Sequence, residues 1–289
     1  MSGYPLLFVV LWSTGFIAAK YGLPYAPPLT FLLYRFALVA LLMAAACLLA
    51  GVRWPSRRAD YARVAIAGLL VHGAYLGGVF IALSRDMAAG TAAMLVGLQP
   101  IVTVFLARFW IGERTIARQW IGLVLGLAGV WLVVRHKLSF DADPVAFVSI
   151  GVALVAISVG TLWQKRHGSQ VDMRAGAVIQ FAACTAVYLP LVLLFETPAQ
   201  VRWAPQFVFA LGWSVLVLSL VAISLLYWLL RHGAAAGVAR LFYLVPPVTA
   251  PMAWLLFDER LDPLALVGMG VIVIAVALSR PPALVSAAS

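Results

Sequence analysis

The sequence predicts an all-α integral membrane protein: ten transmembrane helices, arranged as two five-helix repeats of inverted topology around a central cavity. Three observations carry that expectation. Of the 289 residues, 64% are hydrophobic and only 10% charged, with a mean hydropathy of +1.04. That is more apolar surface than a soluble fold of this size hides, so lipid must be the solvent for most of it. Apolar runs of the length that crosses ~30 Å of hydrocarbon, roughly 20 residues at 1.5 Å each, recur ten times. Finally, residues 80–114 and 226–260 align without a gap at a constant offset of 146 residues. Leu83, Arg85, Ala88, Leu98, Pro100, Thr103, Glu113 and Arg114 match Leu229, Arg231, Ala234, Leu244, Pro246, Thr249, Glu259 and Arg260.

The ten expected spans are Tyr4–Tyr21, Leu29–Gly51, Tyr61–Leu83, Ala88–Phe109, Ile116–Val134, Pro144–Lys165, Arg174–Phe195, Pro205–Leu230, Ala235–Phe257 and Pro263–Leu278. The linkers are short. Helix-ending residues mark them at Pro27-Pro28, Asp143-Pro144, Thr197-Pro198 and Asp262-Pro263. The first run lacks a basic flank on its N-terminal side and reads as a retained helix, not a cleaved signal.

Basic residues decide orientation. With the N-terminus in the cytoplasm, twelve Lys and Arg fall on the cytoplasmic side and six on the other, leaving Arg35 and Arg240 inside spans. The positive-inside rule therefore predicts that both termini are cytoplasmic. Five is an odd number, so a repeat over 1–139 and a second over 144–281 must cross the bilayer in opposite senses. Glu113-Arg114 then lies inside and Glu259-Arg260 outside. Repeats related by an axis in the membrane plane are a transporter architecture, because two similar halves rock about one shared site.

Several other classes are excluded. The net charge of +10 sits between apolar runs, where it orients helices and does not describe a nucleic-acid surface. Cys47 and Cys184 lie mid-run in separate segments and read as small buried hydrophobes, neither a disulfide nor a metal pair. No hydrolase, zinc-protease or phosphate-loop signature is present. No metal or other cofactor is expected. All ten acidic residues lie in loops or at helix ends. A proton-coupled cation exporter needs a mid-membrane carboxylate to bind its cargo, so the expectation is a neutral or zwitterionic substrate.

Certain stretches resemble a known family. Phe80–Met94, Leu98-Gln99-Pro100, Gly112-Glu113-Arg114 and the run from Gly122 to Gly129 are similar to the EamA-type repeat of the drug/metabolite transporter superfamily. So are Trp12-Ser13-Thr14-Gly15-Phe16 and Leu33-Tyr34-Arg35-Phe36, and the second copy repeats the pattern through Pro246 and Asp258-Glu259-Arg260. The resemblance implies a ten-helix basket with helices 5 and 10 peripheral. It implies a cavity lined by helices 1, 3 and 4 with 6, 8 and 9. The aromatic-rich interior is similar to the bacterial exporters of aromatic and other hydrophobic amino acids. Exporters of other small metabolites or drugs share the fold and stay open as the alternative. The partners implied are a small molecule and the lipid bilayer of a bacterial inner membrane; the sequence leaves the oligomeric state open, a monomer being compatible with it.

The candidate binding residues follow from depth and chemistry. Arg240 near the start of the ninth span has two readings: receptor for a substrate carboxylate, or a snorkelling arginine near the cytoplasmic end. Its repeat partner is Met94. Arg35 reads mainly as an interfacial snorkelling arginine. His72 is mid-span with Tyr75 and Val79 on its face, and serves either a substrate or proton role or an interhelical hydrogen bond. Trp12, Thr14 and Phe16 in helix 1, Leu98 and Gln99 in helix 4, and Trp163 and Gln164 in helix 6 complete the first set. Tyr227, Tyr243 and Leu244 extend the expected lining into helices 8 and 9. Pro100, Pro246 and Pro247 free backbone carbonyls and are the candidate hinges. Glu113 and Glu259 read as dipole partners of the helices that follow them. If the repeats are inverted, single cysteines at 114 and 260 will be labelled by a membrane-impermeant thiol reagent from opposite faces. Labelling from a common face contradicts the topology.

Overall fold

The computed structural model describes residues 3–111, 117–134, 143–167, 171–232, 241–259 and 263–278. Every element among them is helical. The helices are α1 Tyr4–Gly22, α2 Pro28–Leu49, α3 Arg58–Ser84 and α4, which runs as Ala89–Val96 and then Gln99–Ile111. They continue with α5 Ala117–Val134, α6 Pro144–His167, α7 Met173–Phe195 and α8, which runs from Pro205–Gly212 through Trp213–Ala222 to Ile223–His232. Last come α9, a tight turn at Phe242–Leu244 leading into Val245–Phe257, and α10 Pro263–Leu278. Seven of the described helices are long and apolar enough to cross a membrane, and α5, α9 and α10 carry shorter apolar stretches.

Many helices begin where Pro is expected. Pro5, Pro28 and Pro205 stand in the first turn, where the missing N–H costs nothing. The outer faces are greasy: Leu41, Leu49, Leu194 and Leu255 are all exposed, as lipid-facing positions should be. The core is a phenylalanine cluster in which Phe31, Phe36, Phe80, Phe181 and Phe207 are almost fully buried.

Glycine sets the closest approaches. A Cβ at Gly78 would fall 2.3 Å from the Ser149 carbonyl oxygen, so α3 and α6 touch backbone to backbone. A Cβ at Gly129 of α5 would fall 2.9 Å from the Gly268 carbonyl oxygen and 2.7 Å from Ile272 Cγ1 of α10. Helix α2 packs along α7, α1 runs beside α8 and α9, and the first half of α4 lies against α9.

Two helices depart from α geometry in their middles. Leu69–Ala74 in α3 and Trp213–Ala222 in α8 are wound as π-helix. The expected spans gave no sign of either. A π segment widens the turn and displaces carbonyls from the helical ladder, a feature common at functional sites. Side chains from α7 collect the carbonyls at the α3 segment. Cys184 Sγ donates to the Gly68 oxygen at 3.4 Å and Tyr188 Oη to the Gly73 oxygen at 2.8 Å.

One end of the bundle is tied across helices. Glu196, at the end of α7, accepts from the N–H groups of Leu29 and Thr30 and from Thr30 Oγ1 at 2.7–2.9 Å. Arg85 pairs with Asp143 at 3.2 Å. Glu259 pairs with Lys20 of α1 and accepts from the N–H groups of Ala89 and Gly90 at the start of α4. Asp258 ends α9 in the left-handed region at φ 52°, which Asp tolerates, and the reversal swings Glu259 toward α4. Glu259 thus caps helix α4, not the α10 helix that follows it in sequence.

Gly68 supplies a direct test of the π segment's packing. A Cβ there would fall 2.5 Å from Gln180 Cβ and 2.6 Å from its Cα. Gly68→Ala should therefore push α3 from α7 and destabilise the protein by about 1–3 kcal/mol. Gly151→Ala, with nothing within 4 Å, should leave the thermal midpoint unchanged or raise it slightly. Equal midpoints for the two variants contradict the packing.

Candidate functional site

Two polar clusters occupy the middle of the bundle, each where a π segment meets a side chain from the α2/α7 pair. Arg35 lies seven residues past Pro28, roughly 10 Å along α2, and is only 7% exposed. Its Nε and Nη2 donate to Ser219 Oγ at 3.3 and 3.2 Å. Ser219 in turn donates to the Ser214 carbonyl at 3.0 Å, so one hydroxyl serves as acceptor and donor. Among the described residues no carboxylate pairs with Arg35, and Nη1 has no hydrogen-bond partner. One π turn away, Ser214 Oγ is sealed without a partner.

The second cluster joins α3 to α7. His72 Nε2 and Gln180 Oε1 are 3.1 Å apart, and the imidazole stacks on Phe181 with ring centroids 4.5 Å apart. An amide oxygen only accepts, so Nε2 carries the proton in this arrangement. Phe36 packs against both Phe181 and Tyr188. His72 and Tyr75 both lie within electrostatic reach of Arg35, which links the two clusters.

The clusters correspond in sequence. Arg35 and Gln180 are 145 residues apart, each followed by Phe-Ala. A second matched pair sits at the interrupted helices. Ser158 Oγ of α6 reaches the Gln99 carbonyl at 3.5 Å, and Ser13 Oγ of α1 reaches the Val245 carbonyl at 3.3 Å. Ser13 and Ser158 are 145 residues apart, Gln99 and Val245 146, and both serines are fully buried. Each accepting carbonyl directly precedes a proline, Pro100 or Pro246. Helix α4 breaks at Gly97-Leu98, and the Phe242–Leu244 turn stands at the matching place in α9.

A small cleft of about 40 Å³ lies between α3, α6 and α7 at the end opposite the Glu259 ties. Trp163 and Gln164 wall it, Arg63 and Asp172 stand at its mouth, and Gln180 lies two turns in. Hydrogen bonds from Arg174 hold the Asp172 carboxyl below the usual carboxylate range. Behind Gln180 stands His72. The cleft therefore leads toward the polar middle.

The expected residues fall into separate groups. His72 and Tyr75 are together beside Arg35, and Trp163 and Gln164 share the cleft. Trp163 Nε1 donates to the Arg63 carbonyl at 2.9 Å and the ring packs on His167. Gln99 Nε2 reaches Thr161 and Thr103 at 3.5 and 3.4 Å. Trp12 sits among Phe8 and Phe242, and Thr14 accepts from Trp213 Nε1 at 2.9 Å. Phe16, Val79 and Met94 are buried in the apolar core. Leu98 turns toward Gly126 of α5, and Leu244 is 47% exposed. Pro246 packs against Gly97, joining the interrupted stretches of α4 and α9, and Pro247 is half-buried. Arg240 lies outside the described residues, as do the side chains of Tyr227 and Tyr243.

Sequence reasoning undervalued Arg35, Gln180 and Ser219. The match of Arg35-Phe36-Ala37 with Gln180-Phe181-Ala182 was the available signal. Ser219 carries none, because a serine in an apolar run has no partner visible in sequence. No group of acids, histidines and cysteines able to hold a metal occurs among the described residues.

Comparison with known proteins follows the same architecture. The model of the EamA-like transporter family matches twice, at residues 3–135 and 145–280. The chain is 26% identical over 269 residues to the inner membrane transporter YedA of Escherichia coli K12, covering 93% of this chain and 87% of that one. It is 29% identical over 278 residues to a probable amino-acid metabolite efflux pump of the same strain, covering 91% and 89%. A probable terminal-alkyne amino-acid exporter of Streptantibioticus cattleyicolor is 29% identical over 274 residues, covering 91% and 87%. One solved crystal structure superposes with a TM-score of 0.66 over 96% of this chain and 94% of its own, at 19% identity. The chain belongs to the EamA-like transporter family and is a membrane transporter, not an enzyme.

Proposed function

We propose that the protein is a bacterial inner-membrane carrier that exports hydrophobic, chiefly aromatic, amino acids and other neutral ones by alternating access. Residues 1–139 and 144–281 form its two repeats, inverted with respect to each other, with both termini in the cytoplasm. The observation that carries the reading is the chemistry of the interior. Mid-bundle polarity comes from Arg35, His72, Gln180, Gln99 and hydroxyls, walled by aromatic rings, while all ten acids lie in loops or at helix ends. That suits a neutral or zwitterionic molecule with an apolar side chain, moved by facilitated diffusion or weak coupling. Two relatives named for amino-acid export support the same class.

The paired polar devices support alternating access. Arg35–Ser219 answers His72–Gln180, and Ser13–Val245 answers Ser158–Gln99. In the proposed orientation the Lys20–Glu259 tie closes the outer end, and the cleft beside Trp163 opens to the cytoplasm. Lys165 and Glu113 stand 145 and 146 residues from Lys20 and Glu259. They are the counterpart in sequence of the outer tie, on the side proposed to face the cytoplasm. Arg240, Tyr227, Tyr243 and Trp12 remain in the proposed substrate lining with His72, Tyr75, Trp163 and Gln164.

Proteoliposomes loaded with labelled phenylalanine or threonine should release label faster than empty-bilayer controls. Competition should be strong with apolar amino acids and weak with sugars, nucleosides and organic cations. No flux above control rejects the amino-acid substrate. Flux blocked best by organic cations or nucleosides points instead to another metabolite or drug. Glu259→Gln should lower the flux several-fold by weakening the outer tie, through the loss of a charge-assisted contact.

A further inference from the structure

We propose that Arg35 is the anion receptor of the transport path and that its guanidinium binds a substrate carboxylate. This deepens the amino-acid reading and rests on it for the rest of the substrate. The site is built from α2 and the π segment of α8. Arg35 is 93% buried, deep in a membrane helix, with a single serine hydroxyl as its partner. A charge so placed is costly on insertion scales and calls for a counter-charge or a function. Among the described residues no acid supplies the counter-charge.

The repeat gives an internal comparison. At the position matching Arg35 the chain carries Gln180, and that neutral amide bridges α7 to the π segment of α3 through His72. The fold thus meets the same packing requirement without charge, so the guanidinium at position 35 supplies something beyond packing. Its geometry shows what. Nε and Nη2 are held by Ser219 Oγ, which fixes the plane of the group and leaves Nη1 without a hydrogen-bond partner among the described residues. Nη1 is also not sealed: the only fully enclosed, unpartnered side-chain polar atom among the described residues is Ser214 Oγ. A carboxylate takes the free Nη1, and by displacing the serine takes the planar fork. His72 and Tyr75, within electrostatic reach of it, are hydrogen-bonding groups suited to the rest of a zwitterion's polar end.

The test uses the full chain in nanodiscs, with ligand-induced thermal stabilisation and tryptophan quenching as readouts. The probes are phenylalanine, 3-phenylpropionate, phenylalaninamide and phenethylamine. Wild type should respond to the first two, which carry a carboxylate, and bind the last two at least about 10-fold more weakly. Arg35→Gln should lose about 10- to 100-fold in affinity for both carboxylates and converge on the amide's affinity. Arg35→Lys keeps the charge without the fork and should fall between them, covering the case where the glutamine variant fails to fold. Ser219→Ala should weaken carboxylate binding only a few-fold. Equal binding of phenylalanine and its amide by wild type overturns the proposal, as does full carboxylate affinity in Arg35→Gln or no carboxylate binding at all. Binding of 3-phenylpropionate without amino-acid flux keeps the receptor and rejects the amino-acid substrate. Phenylalanine flux unchanged in Arg35→Gln does the reverse.

Discussion

In hydrocarbon, every polar group must find a partner inside the protein. That constraint organises the whole bundle. Where the helices stay regular, their backbones satisfy themselves and the chain shows only apolar side chains to lipid. Where they do not, at the two π segments and ahead of Pro246, a side chain packed alongside meets a backbone carbonyl. Tyr188 and Cys184 of α7 serve α3, Ser13 of α1 serves α9, and within α8 Ser219 meets the Ser214 carbonyl of its own π turn while it holds Arg35 of α2. The irregularities are therefore also the places where helices are joined. They lie in the interior because only there are such partners available.

The same placement suits the movement proposed for this lipid-solvated bundle. Hydrogen bonds of this kind contribute only about 0.5–1.5 kcal/mol each, so they hold one geometry without locking it. The end tied by Glu259, Glu196 and Asp143 is cross-linked by charge, whereas the opposite end carries a cleft. In the proposed cycle, exchange of the outer ties for inner ones takes small rotations about points where the helices depart from regular α geometry. Arg35 fits that scheme as the one charge among these interior contacts. A ligand that neutralises it changes the energy of the polar middle more than any apolar contact does.

Much of the architecture was legible in the chain itself. Composition and run length gave the helices, and the duplication at an offset of 146 residues pointed to the matched interruptions beside Pro100 and Pro246. The boundaries shifted by only a few residues, because Pro and Asp at helix starts are strong local signals. The π segments were not legible. Trp213–Ala222 reads as an ordinary apolar run, and its winding depends on contacts with α1 and α2 that no local window contains. Arg35 misled for a related reason. Its distance along α2 suits a snorkelling side chain, and only the packed structure shows it turned inward to Ser219. Glu259 looked like a partner for the helix after it, yet the left-handed Asp258 carries it across to α4. In each case the missing information was a tertiary contact between distant segments.

The central claim is that this polar middle is part of a water-reachable substrate path. Cysteine accessibility at Ser219 measures that most directly, in a background where Cys47 and Cys184 are replaced. A membrane-impermeant thiol reagent should modify Ser219→Cys, and saturating substrate should slow the reaction. Modification only by a lipid-soluble reagent, or none by either, would make the polar middle a structural seam and contradict the account.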